Sequence, residues 1–172
     1  MKTLSGDHDE RLALPITEGV LLWSMRAWAV SSHQSIEPER RIATVLAGLG
    51  APEAPEYLFG FMFAMLNGAV RPIGVSCPCE CRVSRDEHAL LEVFALAQEA
   101  QSFEAMLVLR GIVTPAAASA AYRSAEGVAA ALLQSGRLLR PPARDATRLY
   151  ALSSEYHQRG HHWPAPASVV VH

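Results

Sequence analysis

Three cysteines stand at alternate positions in one short segment, Cys77-Pro78-Cys79-Glu80-Cys81, and the chain contains no others. His88 follows, one turn into the next expected helix. Three thiolates and an imidazole match by type the Cys3His donor set of a zinc or Cu(I) site. Cys77, Cys79, Cys81 and His88 are therefore the candidate metal ligands. The spacing works against them. Structural zinc cysteines are usually separated by two residues, because that turn aims both sulfurs at one point. On an extended strand Cys77 and Cys81 would stand roughly 13 Å apart at a rise of ~3.3 Å per residue, too far for one ion. A bend at Pro78 is what could bring them together. The other readings are thiol redox chemistry and plain buried or idle thiols. An odd number of cysteines this closely spaced does not suggest a disulfide framework.

Within the cluster, Cys81 is the thiol expected to react first. It lies three residues before Ser84, where a helix is expected to start, and helix-end amides and dipole favour thiolate. Glu80 opposes this by adding negative charge. A second group of possible ligands, His157, His161, His162 and His172, sits near the C-terminus. Gly160 interrupts the His157/His161 pair, and the group reads as a solvated tail.

Other chemistries are absent as motifs. There is no Gly-Lys-Ser/Thr phosphate loop, no His-Glu-x-x-His, no Gly-x-Ser-x-Gly and no Gly-x-Gly-x-x-Gly. No Glu-x-x-His pair exists for a di-iron bundle. Lys2 is the only lysine, against fourteen arginines, and a polar N-terminal tail is a poor place for Schiff-base chemistry. No catalytic or cofactor-binding residue is assigned, and the reading leans away from an enzyme.

The elements that must position the cysteines are helical. Pro15 and Thr17 open a helix whose Leu21, Met25 and Trp28 share a face, widened by Leu22, Trp23 and Val30. Pro38 suits the first turn of a second helix, with Ile42, Val45, Leu46 and Leu49 as its stripe and glycines at its end. Pro52 and Pro55 start a third, apolar around most of its circumference from Tyr57 to Leu66. Such a helix belongs in the centre of a bundle or in an interface. Tyr57, Phe59, Phe61, Met62 and Phe63 are the candidate interface residues. Ser84 and Glu87 form a capping box ahead of the Leu90, Leu91, Phe94 and Ala97 stripe. Ser102 begins a short helix ended by Gly111. Thr114-Pro115 caps a long one that runs to Gly136. A last helix is expected over Ala143–Tyr156.

The sequence thus predicts an all-α fold, a single-domain bundle of about six helices with an irregular cysteine-bearing connector between the third and fourth. Residues 1–14 read as a flexible lead, 15–158 as the helical domain and 159–172 as a mobile C-terminal tail. The net charge of -2 and the absence of a basic run argue against nucleic acid. No stretch approaches a membrane span, and the polar N-terminus shows no signal-peptide core. The arginine- and alanine-rich composition points to a GC-rich, bacterial coding bias. The expectation is a small cytoplasmic protein that self-associates as a homo-oligomer or binds a partner protein. The alternative is a thiol-based metal-binding or redox-sensing protein built on Cys77, Cys79 and Cys81.

Overall fold

A computed structural model of the chain describes residues 14–34, 38–140 and 169–171. Among them are six helices: α1 Ile16–Gln34, α2 Glu39–Gly48, α3 Ala54–Gly68, α4 Arg85–Gln98, α5 Ser102–Arg110 and α6 Pro115–Gln134. The fold is the expected all-α bundle. Two three-residue strands accompany it, β1 Ile73–Val75 and β2 Val169–Val171. No described helix is long and apolar enough to cross a membrane.

The helix boundaries follow from local chemistry. Ser84 Oγ accepts from the Glu87 amide at the start of α4, and the Glu87 carboxylate accepts from the Ser84 amide. Thr114 Oγ1 accepts from the Ala117 amide at the start of α6. Each bond satisfies an amide that the first helical turn leaves without a partner. The C-terminus of α4 carries no glycine, which is why its end is not obvious from sequence. Ala100 takes φ 57 there, and the Gln101 amide turns back to Leu96 O.

α3 is the central helix, and its most extensive partner is α6. Leu58, Phe61, Met62 and Met65 recur at helical spacing and are buried. Across the interface α6 brings Ala117, Ser124 and Gly127 against Gly68, Gly60 and Tyr57. Small side chains let the two backbones come close. At the base of the pair a Cβ on Gly68 would run into Ala117 Cβ. The chain ties this contact in place with Thr114 N donating to Gly68 O at 2.8 Å and Val70 N to Ile112 O at 3.0 Å. The Phe61 and Phe94 rings meet at 4.6 Å between centroids, joining α4 to the same core.

Two of the five candidate interface residues, Phe61 and Met62, are thereby enclosed by the chain's own core. Phe59 is half-buried. Only Tyr57 and Phe63 stay largely open, at 42% and 53% exposure. The 3.6-residue period decides this: Leu58, Phe61, Met62 and Met65 share the buried side, while Tyr57 lies at the flank with its ring against Gly127 of α6 and Phe63 turns outward.

The C-terminal segment expected to be mobile contains a strand. Val169–Val171 pairs in parallel with β1, Ile73 opposite Val169 and Val75 opposite Val171. Three consecutive β-branched residues favour the extended conformation. β1 offers them an edge because its other edge is already used by α4, as the next section shows. The expected lead apart from Leu14, the expected helix Ala143–Tyr156, and His157, His161, His162 and His172 lie outside the described residues.

Gly68→Ala should destabilise the protein by about 1–3 kcal/mol through forced separation of α3 and α6. Gly48→Ala, at an exposed helix position with open space around it, should stabilise by about 0.4–1 kcal/mol through the unfolded chain. Urea titration of both variants checks the pair of signs.

Candidate functional site

Pro78 does what a bend requires. The Glu80 amide donates to Cys77 O at 3.0 Å, closing a turn over Pro78 and Cys79. Proline at the second position of such a turn has its φ already set. The turn brings Cys77 and Cys79 together, and the two are joined by a disulfide. Cys77 is half-buried and Cys79 exposed. The Cys79 amide also donates to Cys77 Sγ at 3.3 Å. Cys81 remains a free, exposed thiol.

The loop that carries them is held from below by a buried ion pair. Glu87 on α4 is 0% exposed and Arg26 on α1 is 4% exposed. Arg26 Nε donates to Glu87 Oε1 at 2.7 Å and Nη2 to Oε2 at 2.8 Å, a two-pronged contact. Glu87 accepts two further bonds, from Ser76 N at 2.8 Å and Ser84 N at 2.7 Å. Arg26 also donates to the loop backbone, from Nη1 to Glu80 O and from Nη2 to Arg82 O. One buried pair thus fixes the chain at positions 76, 80, 82 and 84.

A second, more exposed pair supports β1. Arg71 donates to both carboxylate oxygens of Asp86, at 2.9 and 2.7 Å. Asp86 Oδ2 also accepts from Gly74 N at 2.8 Å, and Ser84 Oγ donates to Gly74 O at 2.7 Å. Both backbone groups of Gly74 are therefore engaged by the start of α4. Ile73 and Val75 present theirs to the opposite edge, where β2 lies.

The electrostatics follow from these contacts. Burial by itself pushes the Glu87 carboxyl up. The Arg26 hydrogen bonds, the Ser84 and Ser76 amides and the Arg26 charge outweigh it, so Glu87 lies below the usual carboxylate range. Asp86 is lowered in the same way: burial opposes, and Arg71 and the Gly74 amide prevail, helped by the charge of Arg85.

The candidate metal set is not assembled. Cys77 and Cys79 are bonded to each other, and a metal needs them as separate thiolates. Among the described residues no group of three or more His, Cys, Asp and Glu side chains is placed to hold a metal ion. The close cysteine spacing that argued against a disulfide framework is the spacing of this one disulfide. The amides expected to favour a Cys81 thiolate are also partly taken: Ser84 N serves Glu87, and Glu87 N serves Ser84 Oγ.

Sequence reasoning found the capping box but missed what it carries. Arg26 is the residue that could have been flagged. It sits inside the apolar face of α1, four residues after Leu22 and three before Ala29, both buried. A buried arginine must have a paired partner, and Glu87 is the one the fold supplies.

Together these features define an all-α bundle that displays a disulfide-bearing loop at the start of α4. Comparison with known proteins finds no counterpart: no family model, no curated protein and no solved structure matches the chain.

Glu87→Gln removes the charge that balances Arg26 and should lower stability by about 3–5 kcal/mol. The folded-state carboxyl is depressed, so its contribution is present above the ordinary glutamate value of about 4.3 and is lost as pH falls through the folded value. Stability measured against pH should therefore decline less steeply on the acid side in Glu87→Gln than in the wild type.

Proposed function

We propose that the chain is a thiol–disulfide protein, in which Cys77 and Cys79 alternate between dithiol and disulfide on a loop held in fixed geometry. The observation that carries this reading is a solvent-facing disulfide closed over a single intervening residue and seated on a buried ion pair. A bridge over so short a loop restrains the unfolded chain least, on the order of 1–2 kcal/mol. It is therefore a weak staple for a core that helix packing already builds. Exposed disulfides are also the ones that exchange readily with other thiols. We place the protein in the cytoplasm of a bacterium, where cellular thiols keep such pairs reduced at rest and oxidation is the event to be registered. The Arg26 contacts to Glu80 O and Arg82 O keep the loop in register through that change.

A second reading is self-association through the outer side of α3. It is favoured by Phe63, whose ring stands edge-on to Trp28 at 5.2 Å between centroids and is still 53% exposed. Light scattering at micromolar concentration should then give a dimer or larger, and Phe63→Glu should return it to a monomer. A monomeric wild type removes this reading.

For the redox reading, the protein is equilibrated across glutathione buffers, alkylated and weighed. The expected result is one two-electron step, mapped to Cys77 and Cys79, reversed by dithiothreitol and without loss of helix by circular dichroism. Thiols that stay reduced throughout, or a bridge that resists dithiothreitol, would overturn it. Zinc or Cu(I) retained above background by tag-free reduced protein, and lost in Cys79→Ser, would favour a metal site at Cys77, Cys79, Cys81 and His88 instead.

A further inference from the structure

We propose that the two sulfurs of the bridge have different roles: Cys79 Sγ is the atom an incoming thiolate attacks, Cys77 Sγ is the leaving group, and Cys81 takes no part in the step. This assignment rests on the thiol–disulfide reading above. Three observations carry it.

Access comes first. Exchange proceeds by in-line attack on one sulfur with departure of the other, so the attacked sulfur must be open to solvent. Cys79 is exposed and is followed by Glu80, Cys81 and Arg82, all exposed, while Cys77 is half-buried. Cys79 thus begins the exposed part of the loop, and Cys77 lies outside it. A thiol on a folded protein can reach it as well as a small one, since no cavity has to be entered. The substrate class is therefore an accessible thiol, protein or small-molecule.

The leaving group comes second. As the bridge breaks, negative charge develops on the departing sulfur, and a thiol of lower pKa leaves faster. The Cys79 N–H already points at Cys77 Sγ from 3.3 Å. That bond strengthens as Cys77 becomes a thiolate, because a hydrogen bond to an ionised acceptor is the stronger kind. Attack on Cys77, with Cys79 leaving, lacks this help.

The third observation concerns Cys81. The carbonyls on either side of it, Glu80 O and Arg82 O, are both held by the buried Arg26 guanidinium. Moving Cys81 onto Cys79 would reorganise the Glu80 backbone between them and release that hold. The geometry keeps Cys81 a bystander, although it is as close to Cys79 in sequence as Cys77 is.

The chemistry balances without an added oxidant. A client thiolate forms a bond to Cys79 Sγ, the Cys77–Cys79 bond breaks, and its electron pair leaves on Cys77 Sγ. A second client thiolate then attacks the client sulfur of this mixed disulfide and expels Cys79 thiolate. The client pair is oxidised to a disulfide, Cys77 and Cys79 are reduced, and the two client protons end on them. Run in reverse, the same steps oxidise the loop.

The test uses the full chain, oxidised, mixed briefly with reduced glutathione, acid-quenched, alkylated and mapped by tandem mass spectrometry. Glutathione should be found on Cys79 with alkyl label on Cys77, exceeding the reverse arrangement by about tenfold. Cys81→Ser, a change at an exposed site, should give the same map and a rate within about twofold of wild type. In reduced protein, brief alkylation across a pH series should find Cys77 becoming reactive at lower pH than Cys79. Glutathione mainly on Cys77, or an accumulating Cys79–Cys81 bridge, overturns the assignment while leaving the thiol–disulfide reading intact. A bridge that neither forms an adduct nor becomes reduced overturns both.

Discussion

The Glu87 carboxylate is the point on which the cysteine-loop end of the molecule depends. It has no access to water and receives four hydrogen bonds, two from Arg26 and one each from the Ser76 and Ser84 amides. A buried ion pair alone is weak evidence of stabilisation, since a well-packed apolar pair often serves as well. Here an apolar replacement would fail for a specific reason. It would abandon two amides on the Glu87 side, at Ser76 and Ser84, and two carbonyls on the Arg26 side, at Glu80 and Arg82. Each of these part-buried groups would lose its partner, at a cost wherever water could not replace it. The pair organises backbone, and the backbone it organises is the cysteine loop.

Around this anchor the bundle is assembled from ordinary packing. Small residues on both helices, Gly60 and Gly68 of α3 against Ser124 and Ala117 of α6, let the two axes come close. This arrangement resolves the excess apolar character of α3. Phe61, Met62 and Met65 go inward, Phe61 against Phe94 of α4, while Phe63 turns outward and is partly shielded by Trp28 of α1. Of the expected interface residues, Phe61 and Met62 are interior, while Tyr57 and Phe63 remain largely exposed.

Local and long-range chemistry meet in the loop. Pro78 sets the turn, the turn sets the Cys77–Cys79 bridge, and the Cys79 amide makes its two sulfurs unequal; all of this lies within four consecutive residues. The fate of Cys81 depends instead on Arg26, more than fifty residues earlier in the chain. The loop combines a short-range device that closes the Cys77–Cys79 bond with a distant one that holds the carbonyls on either side of Cys81.

The sequence by itself determined the helices, since apolar periodicity and caps such as Ser84/Glu87 and Thr114 are properties of neighbouring residues. It determined the cysteine loop as the place for chemistry, because all the thiols are there. It could not show that Val169–Val171 forms a strand, for a three-residue run pairs only when an edge such as β1 is offered. Nor could it divide α3 into an inner and an outer side, because a helix apolar all round carries no marker of which face its neighbours will cover. The union of Arg26 with Glu87, and with it the geometry of the cysteines, was decided by tertiary structure alone. The two residues lie on different helices, and neither signals its partner until burial removes water from both.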